Sequence, residues 1–135
     1  MQKEGRYRMN ILIATHFNLS ESLLGAAEMI IGSQKNVKAV TFSPDEGIDA
    51  LKEKMERVMI EWGGEGLILT DIPGGSPSNV ASLLATRYPV FILTGVNLPM
   101  LLEILLQREV LAPKELLKTA EEAGKTAIRE IAVNK

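Results

Sequence analysis

The chain has 135 residues with a formal charge of −2, 46% apolar residues and 24% charged residues, which is the size and balance of one soluble globular domain with a real hydrophobic core. The charge gives no electrostatic case for nucleic acid, and the few aromatics are not interleaved with basic residues as a stacking surface needs. Without cysteine there is no disulfide, thiolate metal site or thiol nucleophile; with one histidine and no close acidic cluster, no metal site is expected.

Residues 1–8 read as a polar leader before the first strand, and 9–135 as the functional domain. No apolar run is long enough to span a bilayer, and the start lacks the hydrophobic stretch of a signal peptide. A cytoplasmic location is the expectation.

Residues 9–15 (MNILIAT) form a continuous apolar run, as in a strand covered on both faces, and end at His16. Asn18 with Glu21 fits a capping box, opening a helix whose inner face would carry Leu23, Ala27, Ile30 and Ile31 and which stops at Gly32. Residues 37–42 read as a second strand and Ser43-Pro44-Asp45 as a turn. Ile48, Leu51, Met55, Val58, Met59 and Trp62 then recur at steps of three and four, the cleanest helical period in the chain, ended by Gly63-Gly64.

A third strand, residues 66–70 (GLILT), ends at Asp71. Ile72-Pro73-Gly74-Gly75-Ser76-Pro77 reads as a rigid turn, with Ser76 as helix cap, Pro77 at the first helical position, and Val80, Leu83 and Leu84 facing inward. Residues 89–94 (PVFILT) form a fourth strand, Gly95-Val96-Asn97 a loop, and Pro99 opens a helix to about Glu109. Residues 113–123 read as another helix, with Leu116, Leu117 and Ala120 inward. Residues 126–133 (TAIREIAV) either prolong it or form a short edge strand. Alternation of strand and helix implies an α/β domain with a doubly wound, mostly parallel sheet and helices on both faces.

Sites in such sheets form at the carboxyl ends of the strands, where His16, Asp71 and Asn97 all fall. An imidazole nitrogen is a nucleophile near neutral pH, and its phosphorylated form is a labile donor. Asp71 can hold one ring nitrogen and leave the other free; a strand-end aspartate can equally well cap a turn. Gly74, Gly75 and Ser76 can present N–H groups to phosphate beside a helix N-terminus, or simply make a turn. Asn79 is a further phosphate-binding candidate, and Thr15 and Thr70 could tune the site or pack as strand residues. Neither a Walker A loop nor a Gly-x-Gly-x-x-Gly fingerprint occurs. Gly-x-Ser-x-Gly is also absent, which counts against a serine hydrolase.

Three separated segments carry a resemblance: residues 11–16 (ILIATH), 71–79 (DIPGGSPSN) and 94–101 (TGVNLPML). In order and spacing they resemble the EIIA component of the mannose family (mannose, fructose, sorbose) of the bacterial phosphoenolpyruvate-dependent sugar phosphotransferase system. The resemblance implies that His16 accepts a phosphoryl group from phospho-HPr and passes it to a histidine of an EIIB component. Asp71 would hydrogen-bond His16, and Ser76 would lie near the phosphoryl group. It implies no cofactor, an indirect association with membrane EIIC and EIID components, and a homodimer exchanging an antiparallel C-terminal strand, which makes residues 126–133 a swapped strand. Any EIIB domain would be a separate polypeptide. Pro73 departs from a relative with an aromatic before the paired glycines. Two alternatives stand beside this reading: a phosphotransfer subunit of a dihydroxyacetone kinase system, and a non-catalytic regulatory interaction domain.

Overall fold

A computed structural model describes residues 9–134; the leader expected at residues 1–8 lies outside the described residues. The elements run β1 (Asn10–Ala14), α1 (Leu19–Ile31), β2 (Val37–Val40), α2 (Ile48–Trp62), β3 (Gly66–Thr70), α3 (Ser76–Leu84), β4 (Val90–Thr94), α4 (Leu98–Gln107) and α5 (Pro113–Thr126). The four strands are parallel in the order β2-β1-β3-β4. The expected doubly wound α/β architecture is therefore present.

The period of two along each strand divides the core between the sheet's faces. Ile11, Ile13, Leu67 and Leu69 face one side and pack with Ala27 of α1, with Met100, Leu101 and Ile104 of α4, and with Leu116 and Ala120 of α5. Leu12, Ala14 and Ile68 face the other side and pack with Leu51, Met55 and Met59 of α2 and with Val80, Ala81 and Leu84 of α3. Both central strands are buried on both faces, which is why they read as unbroken apolar runs.

Several local expectations are corrected. Asn18 occupies the cap position of α1, but its side chain makes no capping bond. The Thr15 hydroxyl accepts from the Ser20 N–H at 2.7 Å instead, so the strand-end threonine does the capping. Ile30, Ile48 and Leu83 lie on the exposed sides of their helices rather than facing inward. Each sits at a margin of its apolar stripe, where periodicity alone cannot tell the core from the rim.

The tail differs too. Helix α5 continues through the buried Gly124 to Thr126, and residues 128–134 carry no strand or helix in the single chain. Ile128, Ile131 and Val133 there are exposed. A strand needs a partner to supply its hydrogen bonds, and no element among the described residues provides one.

At the end of the sheet away from the strand carboxyl termini, Arg108 is buried. Its guanidinium donates to the Met9, Asn36 and Lys35 carbonyls and to Gln34 Oε1 at 2.6–3.4 Å, tying the end of α4 to the start of β1 and the α1–β2 loop. At the same end, Gly66 is packed under Trp62: a Cβ there would stand 2.0 Å from the indole ring.

Candidate functional site

The site is a consequence of register. Strands β1 and β3 are neighbours, with Ala14 opposite Thr70. Residues just beyond these two ends are forced together: His16 on one side, Asp71 on the other. The chain leaves β1 toward β2 on one flank and returns to β3 on the other. The pair thus sits at the topological switch point, the crevice where open α/β sheets take their ligands.

Asp71 Oδ2 accepts two hydrogen bonds from one residue: the His16 backbone N–H at 3.0 Å and ring Nδ1 at 2.9 Å. Asp71 Oδ1 accepts from the Ile72 N–H at 3.0 Å. A carboxylate only accepts, so Nδ1 must carry the proton; in the neutral ring Nε2 then holds the free lone pair. Burial acts to raise the Asp71 pKa, but it is outweighed by the His16 backbone and ring hydrogen bonds and the charge attraction of His16, so the carboxyl sits below its ordinary value. The Asp71 side chain is 13% exposed and that of His16 44%: the anchor is sheltered and the ring is accessible.

Two further contacts fix the ring. Phe42 meets it edge-on, with centroids 6.0 Å apart and planes at 61°. On another side Gly75, which caps α3, lies so close that a Cβ there would be 2.8 Å from His16 Cε1 and 3.5 Å from Nε2. The positive end of α3 therefore borders the Nε2 edge of the imidazole. His16, Phe17, Phe42, Ser43 and Pro44 line an open, largely apolar hollow of about 300 Å³. Phe17 holds a left-handed backbone (φ 54°) and exchanges two main-chain hydrogen bonds with Phe42, at 2.8 and 3.4 Å.

The other residues expected at the site fall in different places. Ser76 is the first residue of α3, and Gly75 takes the cap position expected of Ser76; the Ser76 side chain makes no capping bond. The exposed Asn79 donates from its side chain to the Gly74 carbonyl at 3.3 Å, closing the loop on itself. Thr15 also donates to the His16 carbonyl at 3.2 Å. Thr70 is buried, and its hydroxyl bonds Ser78 rather than the histidine. Asn97 is not bound to the His16–Asp71 pair: Oδ1 caps α4 by accepting from the Met100 N–H, and Nδ2 donates to the Gly124 carbonyl of α5.

Sequence reasoning passed over Phe42, Phe17 and Ser78. No local signal marks Phe42, which reaches the ring from beyond β2; Phe17 adjoins His16 in sequence, and its pairing with Phe42 is a tertiary contact. Ser78 reads as an ordinary first-turn serine. No group of three or more His, Cys, Asp or Glu that could hold a metal ion occurs among the described residues. No helix among them is long and apolar enough to cross a membrane.

The family model EIIA-man, described as "PTS system fructose IIA component", matches residues 10–121. The chain belongs to the EIIA-man family. It is 40% identical over 112 residues to the PTS system fructose-specific EIIA component of Bacillus subtilis, covering 81% of this chain and 77% of that protein. It is 36% identical over 126 residues to the PTS system mannose-specific EIIAB component of Escherichia coli, covering 90% of this chain but only 39% of that longer protein. The fold matches the crystal structure of phosphotransferase system component EIIA from Streptococcus agalactiae, with a TM-score of 0.86 at 29% identity, covering 90% of this chain and 96% of the other.

Proposed function

We propose that this EIIA-man chain is a phosphoryl carrier, accepting the group from phospho-HPr on His16 and passing it to a histidine of an EIIB component during coupled sugar uptake and phosphorylation. The observation that carries the reading is the His16–Asp71 pair: on a half-exposed ring, one nitrogen is fixed by a sheltered carboxylate and the other borders a helix N-terminus.

Nε2 attacks phosphorus in line with the donor's nitrogen. The Nε2–P bond forms as the donor N–P bond breaks, and the donor nitrogen keeps the electron pair. Nδ1 retains its proton throughout, and Asp71 stays ionised, balancing the positive charge that the ring acquires. Gly75, Ser76 and Asn79 stand at the start of α3, where N–H groups and the helix dipole favour the phosphoryl oxygens. Thr15 shapes the main chain of His16. Handing the group to EIIB reverses the same steps with a different partner ring, so neither nucleotide nor metal enters.

The working form is proposed to be a cytoplasmic homodimer, associated with membrane EIIC and EIID through EIIB. Residues 128–134, with their exposed Ile128, Ile131 and Val133, are proposed to pair antiparallel with a second copy. The open flank of β4 supports this, because β4 is the edge of the sheet and only half-buried. A hollow of about 420 Å³ beside it, lined by Ile92, Thr94, Asn97, Met100, Gly124 and Ile128, offers the seat.

The test is incubation with phosphoenolpyruvate, enzyme I and HPr. The wild-type chain should gain an acid-labile phosphoryl group and lose it on addition of EIIB. A His16→Gln chain that still takes the label, or a folded wild type that never does, would refute the assignment.

A further inference from the structure

We propose that Ser78 is a positioning residue for the His16–Asp71 pair, acting through the main chain of Ile72; the proposal rests on the phosphoryl-carrier reading for its consequence, not for its geometry. The Ser78 hydroxyl has three neighbours: the Ile72 carbonyl at 2.5 Å, Thr70 Oγ1 at 2.7 Å and Thr94 Oγ1 at 3.2 Å. A hydroxyl has one proton and two lone pairs. The carbonyl can only accept, so the Ser78 proton goes to it, and both threonines must donate to Ser78. That uses the full capacity of the group. It ties the last residues of β3 and β4 to the first turn of α3 and to the loop after Asp71.

What is held is Ile72, at both of its main-chain polar groups. Its carbonyl accepts from Ser78, and its N–H donates to Asp71 Oδ1. With Oδ1 anchored there, Oδ2 is the oxygen left to face His16. Apolar packing does not supply this constraint. The Ile72 side chain is 52% exposed, Pro73 and Gly74 are exposed, and Gly74 turns the chain at φ 81°. The Ile72 end of the loop is thus held from beneath by the buried Ser78, while Asn79 closes its far end at Gly74. Losing that hydroxyl frees Ile72 to rotate, and the carboxylate then loses its preference for presenting Oδ2 to Nδ1.

The experiment reads the imidazole nitrogens directly by ¹⁵N NMR of the full, unphosphorylated chain, in which His16 is the single histidine and gives one pair of signals. The wild-type neutral ring should be almost wholly the Nδ1–H tautomer. Ser78→Ala should lower that fraction measurably, and its initial rate of labelling by phospho-HPr should fall by about tenfold to a hundredfold. Thr94→Val removes a hydroxyl from the same cluster while sparing the Ser78–Ile72 bond, so it should keep the wild-type tautomer even where stability drops. Ser78→Thr should restore it. Ser78→Cys, a near-isosteric weak donor, gives the same reading if the alanine chain does not fold, with the tautomer moving in the same direction. A wild-type tautomer in both Ser78→Ala and Ser78→Cys, or an equal shift in Thr94→Val, overturns the proposal. Because the NMR reading needs no donor, a wild type that phospho-HPr never labels would count against the carrier function and leave the positioning result standing.

Discussion

One carboxylate oxygen, Asp71 Oδ2, holds His16 by its backbone N–H and by its ring Nδ1 at once, at 3.0 and 2.9 Å. The main-chain bond fixes where the residue is, and the ring bond fixes which nitrogen is free. Replacing Asp71 by alanine should therefore slow phosphoryl transfer by more than tenfold with the fold retained. Circular dichroism with a labelling time course checks both halves.

The same pair makes a prediction about pH. The Asp71 carboxyl is lowered from its ordinary value of 3.8. Its contribution to stability is complete above that value, and it disappears as pH falls through the lower folded value, because the unfolded state then binds the proton first. Urea unfolding from pH 6 down to pH 2 should show the wild type losing more stability on acidification than Asp71→Asn, with the difference arising below about pH 4.

Gly75 is predicted to be sensitive for space rather than for backbone freedom. Its methyl would meet His16 Cε1 at 2.8 Å, whereas one at Gly74 meets nothing within 4 Å but lies at φ 81°. Gly75→Ala should impair transfer far more than stability, since the imidazole must move. Gly74→Ala should cost about 1 kcal/mol of stability. Parallel denaturation and labelling of the two variants separate the effects.

Phe17 follows His16 in a left-handed conformation that a bulky side chain adopts only at a cost, and 63% of it is exposed, so little burial repays that cost. Phe17→Gly should leave the melting temperature unchanged or higher. Phe17→Val, β-branched at the same φ, should lower it by several degrees, corresponding to about 1–2 kcal/mol.

Arg108 supports the opposite end of the sheet. Arg108→Met should remove about 3 kcal/mol or more, because four oxygen acceptors lose a charged donor. Transfer by the folded fraction should be unaltered. Urea unfolding combined with labelling per folded molecule tests it.

Much of this site was legible before any coordinates, and the reasons are specific. Strands buried on both faces announce themselves as ILIA and LIL, and polar residues ending such runs fall on one edge of a parallel sheet, so His16 and Asp71 stood out. That they bond each other depends on the Ala14–Thr70 register, which no local pattern encodes. Asn97 shared the strand-end position but was drawn to α4 and α5, because a helix cap and a helix carbonyl were nearer partners. The capping of α1 by Thr15 was hidden behind a sequence match at Asn18 and Glu21, since the choice between two capping oxygens is made by tertiary geometry. Residues 126–133 read equally well as helix or strand, and the chain divides them: Thr126 closes α5, while 128–134 carry neither helix nor strand.

The central claim is that Nε2 of His16 carries the phosphoryl group in transit. The most direct measurement is ³¹P–¹⁵N NMR of the chain after incubation with phospho-HPr, followed by addition of EIIB. The account predicts one phosphoryl group bonded to Nε2, with Nδ1 still protonated, and its disappearance as EIIB becomes labelled. Phosphorus bonded to Nδ1, or label that stays on His16 in the presence of a competent EIIB, would contradict it.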